Sequence, residues 1–490
     1  MIVEILGAKM LAPFVGTSHF VWTAQIAITL VALASGYYAG GRLVDRSPAL
    51  GPLYLWIALA AVYLCLAVLV VEPVANWCLQ FHLATGSLLA SAFLFFSPLA
   101  LLAMVGPFFV RVLTVAVAGV GGNVGRLTAI STVGSVIGTV LIGYVLIPFL
   151  PNSVTMYLTA ALLLVTAATY LLLWNRRIVP LGLILVVAGL GVGFAGIQRD
   201  QHRTFGPMEE LHRRNSDFGM LQVLQERNGL ERLYLNDYLI QNTYDIKTKK
   251  SMSMFTYMLH GLAHSYAPAI HDVLCIGLGV GIVPRQFAQE AANVDVVEIN
   301  PAVVPLAQRF FDLDPSKLRI TLGDGRYFVN QCSSGKYDAI ILDAFLGDSC
   351  PSHLMTREAF GAMRRILKPQ GVLVVNTFCD IDPRDDFFGA SLYKTLASAF
   401  PSVRIHNAGD SGNTFFVASS QTNLTILRPI DFAQVHSACS SKVRSAFSGL
   451  RETDPSHGRV LTDDFNPVEF FDASNRERIR KNMASWMKEL

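Results

Sequence analysis

Along this chain the apolar positions fall into two regimes that meet near residue 197. Before it, the runs from about Phe20 to Gly40, Leu53 to Val71, Leu83 to Phe109, Leu127 to Leu150, Val154 to Trp174 and Ile178 to Ile197 are long and almost free of charge. Each is near or above the roughly 20 residues a helix needs to cross hydrocarbon, so the pattern predicts six membrane spans. The first 16 residues carry Glu4 and Lys9 and lack the basic start, long apolar core and small-residue cleavage site of a signal peptide. They are expected to form an interfacial or re-entrant segment. After Ile197 the stretch QRDQHRTFGPMEELHRRNSDFG is polar and charged, which marks the exit from the membrane. Short apolar runs then alternate with charged segments, as in a soluble domain.

Within that soluble half, FGMLQVLQ (218–225) and ERLYLNDYLIQN (231–242) alternate apolar and polar residues around ERNGL, with Asn228-Gly229 at its centre, and predict a β-hairpin. MFTYMLHGLAHSYAP places Met254, Met258, Leu259 and Leu262 at helical intervals and ends at Pro268. The stretch from Asp272 to Asp343 organises the rest. Val273 to Ile276 is a short continuous apolar run, as expected of a strand buried on both faces. Gly277, Gly279 and Gly281 follow at once and let the backbone turn tightly against a ligand. A second strand ends in Glu298, twenty-one residues after Gly277, the distance at which a doubly wound fold offers a carboxylate to ribose hydroxyls. Asp324 and Gly325 follow the run Leu318 to Leu322, and Asp343 ends the run Ala339 to Leu342. Acidic strand ends beside a glycine loop, all on the carboxyl edge of one parallel sheet, imply a nucleoside site, with Asp324 placed to accept from an adenine amino group.

Further on, GVLVVNTF (371–378) and NTFFVASS (413–420) supply strands, and Thr356 in CPSHLMTREAF is the expected N-cap of a helix carrying Arg357 and Glu358 in its first turn. His353 precedes it, close to the expected reaction face. Asp463 and Asp464 could hold an ammonium or cap a turn at Pro467. The tail from Asn475 to Leu490 is basic and amphipathic, suited to a surface or interfacial helix.

Composition agrees with a membrane protein: 52% of the 490 residues are hydrophobic and 15% charged. The net charge is only +3 and no basic stripe occurs, so nucleic acid is not implied. The seven cysteines are scattered and lack CxxC spacing, which suggests neither a zinc site nor a disulfide framework and fits a reducing compartment. His260 and His264 share a helix face, but no glutamate accompanies them as in a zinc-protease helix, so they are read as structural and no metal is expected. Gly36 with Gly40, and Gly134 with Gly138, are spaced for flat packing faces. His19, Gln25, Ser131, Thr132 and Ser135 are read as interhelical hydrogen-bonding groups rather than a cavity lining. Arg42 and Arg46, Arg111 and Arg126, and Arg176 and Arg177 occupy alternate connections, which the positive-inside rule places in the cytoplasm. Six spans would then deliver the soluble half outside, away from a cytosolic nucleoside. A seventh crossing between Leu83 and Gly122, or a last run that does not cross, would remove the conflict. The chemistry favours a multi-pass inner-membrane protein with its catalytic domain in the cytoplasm.

The order of LYLNDYLIQ, YMLHGLAH, GLGVG, VVEIN, GDGRYF, ILDAF and HLMTREAF resembles that of the spermidine synthases, the polyamine aminopropyltransferases, over about Phe218 to Ser420. The membrane half is similar to that of the membrane-fused group with an N-terminal multispan region: GYYAGGRLVDR resembles the loop motif of major facilitator transporters, STVGSVIGTVLIGYVLIP fits the same group, and the usual first span is absent. The resemblance implies an N-terminal polytopic α-helical membrane domain (1–200), a small β-hairpin region with a connecting helix (201–270), a C-terminal α/β Rossmann-like domain of the class I methyltransferase type (271–445) and a tail (446–490). It also implies a donor, decarboxylated S-adenosylmethionine, whose carbon beside the sulfonium is attacked by an amine with release of methylthioadenosine.

Asp343 matches the family's catalytic aspartate, with Asp348 and Tyr257 as further catalytic candidates. Gln241, Gly277, Gly279, Gly281, Glu298, Asp324 and Gly325 match its donor-binding positions. Three departures stand out. The loop aspartate that anchors the donor's amino group is Val280; Tyr-His-Glu-Met-Leu is Phe255-Thr256-Tyr257-Met258-Leu259; and Asp-Ser-Ser-Asp-Pro is Asp343-Ala344-Phe345-Leu346-Gly347-Asp348. A buried ammonium without a counter-charge is costly, so these losses argue against putrescine as acceptor and against a decarboxylated donor. The readings are alkyl transfer of the aminopropyl type to an amine, use of ordinary S-adenosylmethionine for methyl transfer or for release of methylthioadenosine and a lactone, and a transporter with a nucleoside-sensing domain. The expected partners are a nucleoside donor, an amine acceptor and the lipid bilayer, in a chain compatible with a homodimer.

Overall fold

The structure is a computed structural model that describes all residues except 115, 117, 118, 175–178, 202–204, 228, 346, 349, 382–385, 410, 411 and 490. The turn centre Asn228, the arginine pair Arg176 and Arg177, the start of the sixth run at Ile178 and Leu346 lie outside the described residues. The chain divides into two compact units, Met1–Phe205 with Arg480–Glu489, and Gly206–Ile479.

In the first unit six helices are long and apolar enough to cross a membrane by length and composition: His19–Arg46, Leu50–Cys78, Leu83–Leu113, Val120–Phe149, Asn152–Trp174 and Val179–Asp200, with mean hydropathy between 1.5 and 2.6. No seventh appears among the described residues. Leu83–Leu113 is a 31-residue apolar element and Val179–Asp200 is 22 residues long, each long enough for one crossing, and length carries no orientation. The N-terminal segment is a 14-residue helix, Ile2–Val15, whose residues from Leu6 to Val15 are buried except Lys9. At 1.5 Å per residue it spans about 21 Å, short of a hydrocarbon core of about 30 Å. Its burial corrects the interfacial reading and leaves the re-entrant one. Gln25 is fully buried against it, because a Cβ on Gly7 would lie 2.8 Å from the Gln25 amide.

The glycine pairs divide. A Cβ on Gly36 would sit 2.2 Å from the carbonyl oxygen of Ala100, and one on Gly40 2.9 Å from Met104, so both are close-packing positions. Gly134, in contrast, faces open space, and Gly138 meets only Ile2. On the same helix Thr132 donates to the Thr128 carbonyl and Thr139 to that of Ser135, so these hydroxyls are satisfied within their own helix rather than between helices.

The second unit opens with a five-stranded antiparallel sheet of β1 (Met208–Ser216), β2 (Gly219–Glu226), β3 (Glu231–Asn236), β4 (Leu239–Asp245) and β5 (Lys250–Ser251) in sequential order. The expected single hairpin is therefore an undercount. ERLYLNDYLIQN breaks at Asp237 and Tyr238, both with positive φ (47° and 63°), which is the backbone a two-residue primed turn requires. MEELHRRNS, read as a membrane exit, pairs with β2.

After the helix Met254–Tyr266, eight strands form a mixed sheet: β6 (Asp272–Ile276), β7 (Asn293–Glu298), β8 (Arg319–Leu322), β9 (Tyr337–Leu342), β10 (Leu367–Phe378), β11 (Ser402–Asn407), β12 (Asn413–Ser419) and β13 (Leu450–Arg451). Their spatial order is β13-β11-β12-β10-β9-β6-β7-β8, parallel from β10 to β8 and antiparallel beyond β10. The alternation of β6 divides the core: Val273 and Cys275 face the helix Met254–Tyr266, and Leu274 and Ile276 face the helix Arg357–Ile366. Chain order reverses between β6 and β9, the switch point at which open α/β sheets bind ligands.

The tail forms the helix Ala473–Glu489, but Arg476 and Arg480 are completely buried, which corrects the surface-helix reading. Arg476 pairs with Asp472 at 3.0 Å and Arg480 donates to the Pro13 carbonyl.

Gly36→Val is expected to lower the thermal midpoint of the detergent-solubilised chain by the equivalent of about 1–3 kcal/mol, the usual cost of overpacking. Gly134→Val, with no neighbour to meet, should melt within about 0.5 kcal/mol of the parent.

Candidate active site

Above the switch point lies a cavity of about 520 Å³, within the range of small-molecule sites. Its floor is the loop after β6. Gly277 has φ +99°, and a Cβ there would lie 2.2 Å from the carbonyl oxygen of Asp343, so only glycine lets the two strand ends approach this closely. The Asp343 N–H donates to the Ile276 carbonyl at 3.0 Å and continues the β6–β9 pairing one residue past the strands.

The Asp343 side chain is partly buried and faces the cavity. Its one hydrogen-bonding neighbour among the described side chains is Asn376, whose Nδ2 donates to Oδ1 at 2.9 Å. Asn413 Nδ2 in turn donates to Asn376 Oδ1 at 3.1 Å, which fixes the orientation of the Asn376 amide. Asn376 lies two residues before the end of β10 and Asn413 opens β12; the register pairs Asn413 with Phe378 and Asn376 with Phe415, so the two asparagines are diagonal neighbours. Burial raises the Asp343 carboxyl to about 6, while the Asn376 donor holds it down.

Glu298, at the end of β7, accepts from the N–H of Leu278 (2.9 Å) and of Asn300 (2.7 Å), which ties the glycine loop to the carboxylate. Burial raises its pKa, opposed by these backbone donors. Asp324 caps the helix Gly325–Gln331 by accepting from the Tyr327 N–H at 2.8 Å, and its other oxygen lies 2.8 Å from His353 Nε2. Burial alone would raise Asp324, but the Tyr327 N–H and His353 hold it below the usual carboxylate range. Gln241 reaches in from β4, its Nε2 donating to the Gly347 carbonyl at 3.0 Å.

Of the residues singled out from sequence, the structure brings together Gln241, Gly277, Gly279, Glu298, Asp324, Gly325, Asp343 and His353 around this cavity, with Val280 and Thr256 in its wall. Three others do not line it. Gly281 caps the next helix at φ +80° with its α-carbon against Leu313. Tyr257 points into the core, its hydroxyl donating to the Ser251 carbonyl at 2.7 Å, because helical periodicity turns it away from Thr256. Asp348 is 1% exposed and interacts with the charges of Arg476 and Asp472. Asp463 is held by Arg326 at 3.0 Å and by Thr356 Oγ1, so it serves the Thr356 helix cap rather than an ammonium. Sequence reasoning missed Asn376 and Asn413; an amide at the end of an apolar buried strand was the available signal.

Fold and site thus define a Rossmann-like α/β domain with a cavity and an aspartate at its switch point. Residues 252–385 match the model of the spermine/spermidine synthase domain. The chain is 32% identical over 218 residues to a polyamine aminopropyltransferase of Vibrio vulnificus (strain CMCP6), covering 41% of this chain and 70% of that protein. It is 29% identical over 272 residues to a probable polyamine aminopropyl transferase of Bifidobacterium longum (strain NCC 2705), covering 49% of this chain and 59% of that one. A solved probable spermidine synthase from Corynebacterium glutamicum ATCC 13032 is 17% identical, with a TM-score of 0.41 over 52% of this chain and 95% of that one. The chain belongs to the spermine/spermidine synthase family and is a transferase of the polyamine aminopropyltransferase type.

Removing the Asn376 donor takes away the one side-chain hydrogen bond among the described residues that favours ionised Asp343. Asn376→Ala should therefore move the acid limb of the pH–rate profile from near 6 to higher pH. An unmoved limb would show that Asp343 does not set it.

Proposed function

We propose that the domain binds a sulfonium nucleoside and transfers an aminopropyl-type alkyl group from it to an amine, with release of methylthioadenosine. The observation that carries this reading is the placement of Asp343: desolvated, oriented by Asn376, and at the carboxyl end of β9 beside the glycine loop. Glu298 would accept the ribose hydroxyls, Asp324 the adenine amino group, and Gln241 would hold the donor chain. The amine nitrogen attacks the carbon beside sulfur; a C–N bond forms as the C–S bond breaks, and both electrons of that bond leave with methylthioadenosine. The attacking ammonium must first lose a proton. Asp343, with a carboxyl raised to about 6, is mostly ionised at neutral pH yet basic enough to take it. Alignment of the reactants supplies the rest, since a sulfonium is already a good leaving group.

A second reading, methyl transfer from ordinary S-adenosylmethionine, is favoured by one feature of the cavity. Val280 stands where an anchoring aspartate is expected, and Lys442 is the lysine or arginine among the described lining residues. An apolar residue and a cation suit a donor that keeps its carboxylate. Asp382 and Asp385 fall outside the described residues.

The membrane placement is also a proposal: a multi-pass inner-membrane chain with this domain in the cytoplasm, where sulfonium nucleosides are made. Protease added to sealed right-side-out vesicles should leave the second unit intact; its digestion from that side would reverse the assignment.

The enzymatic test is incubation of the purified full chain with each donor, with and without amines, resolving methylthioadenosine from S-adenosylhomocysteine. Amine-dependent methylthioadenosine supports aminopropyl-type transfer; S-adenosylhomocysteine alone supports the second reading. Asp343→Asn should bind donor normally and lose turnover. It should also melt higher at pH 7–8. The raised pKa means the buried group favours its neutral form, so its contribution is fully present below the unfolded value of about 3.8 and is lost as pH rises through 6. The ionised carboxylate then costs about 3 kcal/mol at neutral pH, which the neutral amide avoids. Unchanged turnover in this variant would remove the mechanism.

A further inference from the structure

We propose that His260, His264 and Glu290 form a divalent-cation site of the zinc class, clamping two helices that wall the cavity. The histidines lie one turn apart on a single face of the helix Met254–Tyr266. The carboxylate that the local sequence lacks arrives through space: Glu290 immediately follows the helix Ile282–Gln289, which packs on the first. His260 Nε2 lies 3.0 Å from one Glu290 oxygen and His264 Nε2 2.8 Å from the other.

Distance alone would fit two ordinary hydrogen bonds, but the alignment does not. Both Nε2 atoms are buried, and each lies within reach of a Glu290 oxygen without the straight N–H···O alignment of a good hydrogen bond. All three ligand atoms lie within 4.8 Å of one another. Ligands about 2.1 Å from a tetrahedral zinc ion stand roughly 3.4 Å apart, so the nitrogen–oxygen distances need to open by only a few tenths of an ångström. Two neutral imidazoles and one carboxylate are a donor set such an ion accepts, and they leave one position to water.

The surroundings fit. The Phe287 ring lies 4.7 Å from His260 and 5.7 Å from His264 and forms an apolar wall, while the half-exposed Glu290 gives an ion a way in. The neighbouring cation, Arg428, is anchored on the carbonyls of His264, Ala267 and Pro268. Thr256 lies one turn before His260, and Val283 opens the helix that ends at Glu290; both line the cavity. An ion would therefore set the spacing of two walls of the donor site without touching the reacting atoms.

The test uses the full chain in detergent, stripped with a chelator and titrated with Co²⁺ and then Zn²⁺. One Co²⁺ per chain with the visible absorption of tetrahedral coordination, displaced by Zn²⁺, is the expected result, together with a thermal midpoint that climbs with Zn²⁺ concentration. Glu290→Gln, isosteric and half-exposed, should weaken binding by more than about tenfold, and His264→Ala should abolish the tetrahedral spectrum. A folded parent that binds neither ion, or variants that bind as well as the parent, would overturn the site and leave a carboxylate packed between two histidines. The readout is metal binding, so it is independent of whether the transfer reaction is correctly assigned.

Discussion

The geometry of the candidate site depends on the close approach of two strand ends around one carboxylate. Asp343 is held at the cavity wall because β6 and β9 run side by side to their last residue, and the chain leaving β6 turns across the Asp343 carbonyl with no side chain in the way. Any Cβ at Gly277 would push the strand ends apart and displace the acid. The sheet beyond β10 matters for the same reason. Its antiparallel register makes Asn413 a diagonal neighbour of Asn376 and orients the amide that donates to the carboxylate. A lysine or arginine in that place would fix the acid as a permanent anion and remove its basicity.

The other two carboxylates of the cavity are treated differently. Glu298 is tied to backbone N–H groups and Asp324 to a helix start and an imidazole, and in the proposed reaction both would bind the donor. One pocket thus holds three acids that differ in what each hydrogen-bonds. The same economy limits the acceptor. With Thr256 and Val280 in the wall, the described lining offers no carboxylate beyond these three, so it is poorly suited to a substrate with two ammonium groups.

Much of this was legible in sequence because strands buried on both faces read as unbroken apolar runs, and glycines and acids at their ends then stand out. The glycine loop, Glu298, Asp324 and Asp343 were found that way. What escaped depends on pairing across the chain. Asn376 looks like an ordinary residue in GVLVVNTF until β10 is laid against β12. β1 is polar because one of its faces meets solvent, and Asp237-Tyr238 forms a tight turn without the usual asparagine-glycine signal. Charge misled in two places: Asp348 sits at a spacing that suggests a second catalytic acid, and Arg476 and Arg480 at spacings that suggest a solvated face. All three are buried, Arg476 paired with Asp472 and Arg480 bound to a carbonyl. The six long apolar helices of the first unit were legible for the opposite reason, since their runs announce themselves by length and apolarity alone.

The claim on which the account stands is that this cavity grips an adenine nucleoside through Glu298 and Asp324. Calorimetric titration of the folded full chain with methylthioadenosine tests it most directly, since that compound carries the base and sugar common to every donor considered. One molecule bound per chain, with binding weakened in Asp324→Ala and in Glu298→Gln, is the expected result. No heat from well-folded protein, or equal affinity in both variants, would contradict it.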